Sequence, residues 1–291
     1  MELASPCGAL QRFQAKGASM PLNVAFSLMA LALAPGSNPC GTGPVMLGET
    51  SIYADYSGPA PVTVLLEAGN GNDSHVWDGL EPRIRANGVA TLRYDRAGYG
   101  ASAPRPADAY QVEQDLAVVK KLLDRCVGER PVIYVAHSYG GILALLTAKQ
   151  DPRIKGIVLV DTLVPGVETV AAVTAQREDL RKQYDLVRRE APALAAALLP
   201  VVEALPETTE LINRTQVSTD LPIIDIVATG GHDGDLPRIE QWREGHRRFV
   251  AEAPGNRVLV EAPDSSHQVI RDQPETILKA IAQLLDRIDT K

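Results

Sequence analysis

Three cysteines, Cys7, Cys40 and Cys126, are too few for a disulfide scaffold and lack the paired spacing of a zinc site. Positive charge is also scarce. Lys and Arg number 29 against 36 Asp and Glu, which leaves a net charge of −7 and a pI near 5.3. That balance argues against a nucleic-acid surface and offers no polybasic anchor for a membrane. The apolar run from Leu22 to Ala34 is too short to span a bilayer as a helix. Internal repeats and low-complexity tracts are missing as well. What remains, 45% hydrophobic and 22% charged over 291 residues, is the composition of an ordinary globular chain. It suffices for one large α/β domain with an insertion, or for two small domains.

Residues 1–45 read as an N-terminal extension. Arg12 and Lys16 precede the apolar run, which ends in Ala30-Leu31-Ala32 and Ala32-Leu33-Ala34. A weakly basic start, an apolar middle and a small-x-small exit resemble a signal peptide cleaved near residues 32–34, and predict export to a periplasm or the exterior. Glu2 and Pro35 oppose that reading. Its alternatives are an extra helix packed on the domain, or an upstream start codon that is not used. Removal of Cys7 would leave Cys40 and Cys126, a number compatible with one disulfide.

The organising stretch is Val132-Ile133-Tyr134-Val135-Ala136-His137-Ser138-Tyr139-Gly140-Gly141, followed by Ile142-Leu143-Ala144-Leu145-Leu146. A β-branched and aromatic run, a tight turn and an Ala/Leu-rich segment predict strand, turn and helix. A serine at such an apex needs very small neighbours, which Ala136 and Gly140 provide. The segment resembles the nucleophile elbow of the α/β-hydrolase family, with Ala136 where that family usually has glycine.

Two further loops agree with the family in order. Val62–Leu66 reads as a strand buried on both faces, ending in Glu67-Ala68-Gly69-Asn70-Gly71-Asn72-Asp73-Ser74. A dinucleotide fingerprint is not completed there, because Ser74 stands where its third glycine belongs. The resemblance instead makes the loop half of an oxyanion hole, with the Asn70 N–H as donor and the Tyr139 N–H as its companion. The strand Val89–Tyr94 then leads into Asp95-Arg96-Ala97-Gly98-Tyr99-Gly100-Ala101-Ser102, similar to the family's D-x-x-G-x-G-x-S turn and structural in role. The resemblance implies an α/β-hydrolase fold, a mostly parallel central sheet flanked by helices. Its core is expected over residues 46–161 and 222–291. Residues 162–221 carry helical spacing without a strand and predict a small helical cap after the sixth strand.

Five histidines are candidates for the base. His267 follows the last strand, as the family's catalytic histidine does. His137 adjoins the serine and is expected to point away from the apex. His246 lies among Arg243, Arg247 and Arg248 and reads as part of a solvated helix face. His75 and His232 lie in loops that could touch substrate. For the acid, Asp233 in Thr-Gly-Gly-His-Asp resembles the family's T-G-x-x-D loop, and Asp161, after the sixth strand, is the rival. Both preserve the order Ser, acid, His. Asp235 is a distant third, and an Asp233-Gly234-Asp235 calcium site lacks the remaining ligand spacing.

With Ser138, His267 and one aspartate in place, the family implies a serine hydrolase acting on a small-molecule acyl substrate, a carboxylic ester first, without metal or cofactor. A carbon–carbon hydrolase, amidase, acyltransferase or cofactor-free haloperoxidase is the alternative within the fold. A non-catalytic ligand-binding protein is the alternative outside enzymology. Stable membrane insertion and nucleic-acid binding are not expected. Substrate identity and oligomeric state are not legible.

Overall fold

The computed structural model describes residues 40–105, 110–230 and 236–289; the apolar run and the expected cleavage near residues 32–34 lie outside them. Eight strands are found among the described residues: β1 (Thr42–Leu47), β2 (Thr50–Tyr56), β3 (Thr63–Glu67), β4 (Ala90–Tyr94), β5 (Val132–His137), β6 (Ile154–Val160), β7 (Ile223–Ala228) and β8 (Arg257–Ala262). They form one sheet in the order β1-β2-β4-β3-β5-β6-β7-β8. β1 and β2 pair antiparallel with each other, β2 pairs antiparallel with β4, and every later pairing is parallel. β2 alternates in exposure along its length yet is internal, because β1 covers its outer side.

Helices cover both faces. α2 (Val112–Leu122), α3 (Gly140–Ala148) and α8 (Leu236–Ala251) lie on one face, with Val119, Leu122, Leu143, Leu146 and Phe249 packed in a core with Leu65, Tyr134 and Leu159. α1 (Glu81–Arg85), α9 (Val269–Asp272) and α10 (Pro274–Asp289) lie on the other, where Ile84, Val269, Ile277 and Ile281 meet Val64, Ile133, Val135 and Val158. Successive residues of β5 therefore enter opposite cores, which is why the strand reads as a continuous apolar run.

Between β6 and β7 stand four helices: α4 (Val170–Arg181), α5 (Tyr184–Glu190), α6 (Pro192–Glu203) and α7 (Leu205–Asn213). Pro200 lies inside α6. A proline removes a single helical N–H, and the helix continues past it. Ala197 meets Gly98, and Leu198 lies 3.7 Å from where a Cβ on Gly71 would stand. α6 thus lies over the loops that follow β3 and β4.

Cys40 and Cys126 form a disulfide across a sequence separation of 86 residues. It ties the entry to β1 to the π turn Leu123–Val127 that continues α2. In the loop-entropy model a closure of that length is worth about 4–5 kcal/mol.

Candidate active site

Strand order locates the site. β3 is followed by β4 on one side and, after α2, by β5 on the other. The connections therefore run to opposite sides of β3, and a crevice opens at the carboxyl ends of the parallel strands β3 and β5. Glu67 is in register with Ala136. Two residues further on, Gly69 lies against Ser138: a Cβ there would stand 3.1 Å from Ser138 Cβ.

Ser138 sits between β5 and α3 with φ +53°, in the left-handed region. Its N–H donates to the Val160 carbonyl at 3.0 Å, and its own carbonyl accepts from the Gly141 N–H at 3.0 Å and from the Thr162 hydroxyl. The small residues are required by close approach. A Cβ on Gly140 would lie 2.5 Å from Glu67 Cγ and 2.9 Å from the Ala68 carbonyl oxygen. Ala136 is fully buried within β5, so its methyl occupies core space.

His267, from the loop between β8 and α9, places Nε2 at 2.9 Å from Ser138 Oγ and Nδ1 at 2.6 Å from Asp161 Oδ2. A carboxylate only accepts, so Nδ1 carries the proton and the Nε2 lone pair faces the serine hydroxyl. Asp161 follows β6 directly and is wholly buried, with φ +47°. Its Oδ1 accepts from the Ala228 N–H at 3.0 Å and from Trp242 Nε1 at 3.3 Å. Ser138 and Asp161 are two of the three non-glycine residues with positive φ among the described residues, the third being Asp264. Such strain concentrates where surrounding structure enforces a functional geometry.

The structure thus brings Ser138, His267 and Asp161 together. Asp233, Asp235 and His232 lie outside the described residues. His75 is an exposed side chain 3.2 Å from Asp73. His137 is buried and turns toward His267: its Nε2 donates to the His267 carbonyl at 2.8 Å, and the two rings lie 4.8 Å apart. Burial, then the neighbouring His267, pushes the His137 imidazole down to about 4, so it stays neutral through the neutral pH range.

His246 corrects the solvated-face expectation. It is fully buried and bonded to Asp225, itself buried in β7, at 2.7 Å. Ile239, His246 and Phe249 repeat at helical spacing on the core side of α8, while Arg247 pairs outward with Glu240 and Glu244. Trp242, one turn before His246, stacks edge-on against it at 4.8 Å and reaches Asp161. A carboxylate in the middle of a buried strand needs a partner, and Asp225 was the signal that could have moved His246 to the core.

In the loop after β3, the Asn70 side chain accepts from the Tyr99 hydroxyl at 2.6 Å. Neither the Asn70 N–H nor the Tyr139 N–H has an acceptor among the described residues. A cavity of about 770 Å³ opens between the start of α2 and helices α6 and α7, lined by Tyr110, Glu203, Glu207 and Leu211. Ser138 and His267 are not part of its wall.

A serine, a histidine and a buried carboxylate in hydrogen-bonded series at a strand–turn–helix apex suit acyl chemistry. The chain belongs to the alpha/beta hydrolase family, whose model matches residues 64–280. It is similar to the uncharacterized protein YqjL of Bacillus subtilis, 26% identical over 227 residues that cover 77% of this chain and 83% of that one. In structure it resembles the haloalkane dehalogenase DatA of Agrobacterium tumefaciens, with a TM-score of 0.62, 20% identity and coverage of 87% and 99% of the two chains. It also resembles the enol-lactonase of Burkholderia xenovorans, with a TM-score of 0.55, 19% identity and coverage of 84% and 99%. These two likenesses carry the fold alone.

Proposed function

We propose that the chain is a serine hydrolase that cleaves a small-molecule carboxylic ester through an acyl-enzyme on Ser138. The observation that carries this reading is the single imidazole of His267, which stands 2.9 Å from Ser138 Oγ and 2.6 Å from Asp161 Oδ2. We assign the acid to Asp161 rather than to Asp233. His267 Nε2 takes the hydroxyl proton as Ser138 Oγ attacks the ester carbonyl, and Asp161 stabilises the resulting imidazolium. The N–H groups of Asn70 and Tyr139 hold the oxyanion, at roughly 3 kcal/mol per donor. The His267 proton then passes to the leaving alcohol oxygen as the ester C–O bond breaks. Water, deprotonated by the same nitrogen, releases the carboxylic acid. Helices α4–α7 act as a cap that shapes the acyl pocket and limits water.

Labelling by a fluorophosphonate, read by mass spectrometry on wild type and Ser138→Ala, tests this beside turnover of p-nitrophenyl esters of increasing chain length. Stoichiometric labelling at Ser138 with ester turnover, both lost in the variant, is the expected result. Labelling without turnover would overturn the ester assignment and direct the search to amide, carbon–carbon or transfer substrates. No labelling of wild type would overturn the serine mechanism and favour a binding protein.

The Cys40–Cys126 disulfide supports export, since such bonds persist in oxidising compartments. N-terminal sequencing of natively expressed protein should then begin near residue 33 or 35; an intact Met1 or Met20 would dismiss it.

A further inference from the structure

The turn after β4 does more than bend the chain. Arg96 is buried beneath the loop that follows β3. Its Nη1 donates to the Ala68 carbonyl at 2.5 Å and to Glu67 Oε1 at 2.6 Å, and its Nη2 donates to the Gly69 carbonyl at 2.7 Å. Glu67 is buried as well, and its second carboxylate oxygen accepts from Tyr94 and, at 2.9 Å, from Tyr134. Tyr99, three residues after Arg96, reaches the other end of the same loop. Its hydroxyl donates to Asn70 Oδ1 at 2.6 Å and accepts from the Gly71 N–H at 3.4 Å. The guanidinium also lies 5.2 Å from the centre of the Tyr99 ring and 5.7 Å from that of Tyr139. Four consecutive residues, 68–71, are thus fixed by two side chains of one turn.

The Gly69–Asn70 peptide is planar and trans, so its N–H points opposite to its C=O. A cation on the Gly69 carbonyl therefore fixes the direction of the Asn70 N–H. It also withdraws charge through the amide, which strengthens that N–H as a donor. We propose that Arg96 is a positioning residue for the oxyanion donor, acting on Asn70 through the Gly69–Asn70 peptide, with Tyr99 fixing the same loop from its far side. The inference rests on the serine-hydrolase reading above. Burial works against the charge on Arg96, but Glu67 together with Asp115, Tyr94 and Tyr99 outweighs it, and the guanidinium stays ionised.

A purely structural role would be met by any cation able to neutralise Glu67. Arg96→Lys keeps that charge, but one ammonium cannot reproduce the planar fork that spans Glu67 and two carbonyls. In wild type, Arg96→Lys and Tyr99→Phe we would measure kcat and KM for p-nitrophenyl acetate. The stretching frequency of the acyl carbonyl would be read by isotope-edited infrared difference after reaction with carbonyl-labelled p-nitrophenyl trimethylacetate. For Arg96→Lys we expect kcat to fall on the order of 10- to 100-fold with KM within about threefold, and the carbonyl to shift to higher frequency. Tyr99→Phe should move both readouts in the same direction by a smaller factor, and it decides the matter if Arg96→Lys does not fold. Wild-type turnover with both variants at wild-type kcat and an unshifted carbonyl would overturn this inference alone. A wild type that neither turns over nor labels at Ser138 would overturn the serine mechanism and the inference together.

Discussion

Asp161→Asn should lower kcat for ester hydrolysis by about 10⁴-fold, while Asp233→Asn stays within about threefold of wild type. The size of the effect follows from the tautomer. The Asp161 carboxylate only accepts, so it holds the proton on His267 Nδ1 and leaves Nε2 free to take the proton of Ser138. An asparagine that turns its amide NH₂ toward Nδ1 reverses this: Nδ1 becomes the acceptor, Nε2 carries the hydrogen, and the serine has no base. The two contacts at Oδ1 survive the exchange. The Ala228 N–H and the Trp242 indole can still donate to an amide oxygen at Oδ1. Asparagine is also among the residues that best tolerate the φ of +47° at this position. The variant should therefore melt within a few degrees of wild type, so that the loss is chemical. Steady-state kinetics on both variants, with a thermal melt as control, is the measurement. A collapse of kcat in Asp233→Asn with Asp161→Asn largely active would return the acid to the loop after β7.

How much of this site can be read from sequence depends on whether local or through-space information defines each part. Ser138 is local, because a strand, a small residue, a serine and two glycines leave few conformations other than an elbow. Gly69 and Asn70 are legible for a related reason: strand order brings the end of β3 beside the end of β5, and the family's loop order encodes that crossing. The acid is different. Asp161 and Asp233 both follow buried strands and both precede His267, so no one-dimensional pattern ranks them by distance to Nδ1. Arg96 fails for a further reason. The turn reads as structural as a whole, and only the fold shows that Glu67, 29 residues earlier, ends its strand directly beneath Arg96. His246 was misplaced by its arginine neighbours, although its spacing from Ile239 and Phe249 carried the core-facing signal. In both cases a polar side chain is buried because a carboxylate from a strand bonds to it, and partners are what a linear pattern does not display.

Gly141→Ala should destabilise the protein by about 1–3 kcal/mol and slow fluorophosphonate labelling at Ser138, although alanine is the better helix former. Propensity alone predicts the opposite sign, since exchanging glycine for alanine within α3 gains about 1 kcal/mol. Packing reverses it. A Cβ on Gly141 would lie 2.5 Å from Thr162 Cγ2 and 2.6 Å from Thr162 Cβ, with the Thr162 hydroxyl closer still. Thr162 has little freedom to yield, being β-branched, fully buried and bonded through its hydroxyl to the Ser138 carbonyl. Overpacking of this kind costs about 1–3 kcal/mol, and loss of the Thr162 bond adds about 1 kcal/mol. For a chain of this length each kcal/mol is worth roughly 2–4 °C in melting temperature, so a fall of about 2–12 °C is expected. Function should suffer with stability because Thr162 directly follows Asp161: a threonine pushed away from α3 carries the proposed acid with it and lengthens the bridge from Asp161 to His267. A melting temperature at or above that of wild type, with unchanged labelling kinetics, would mean that the strand end yields to the new methyl and that close packing behind the elbow does not hold the acid in place.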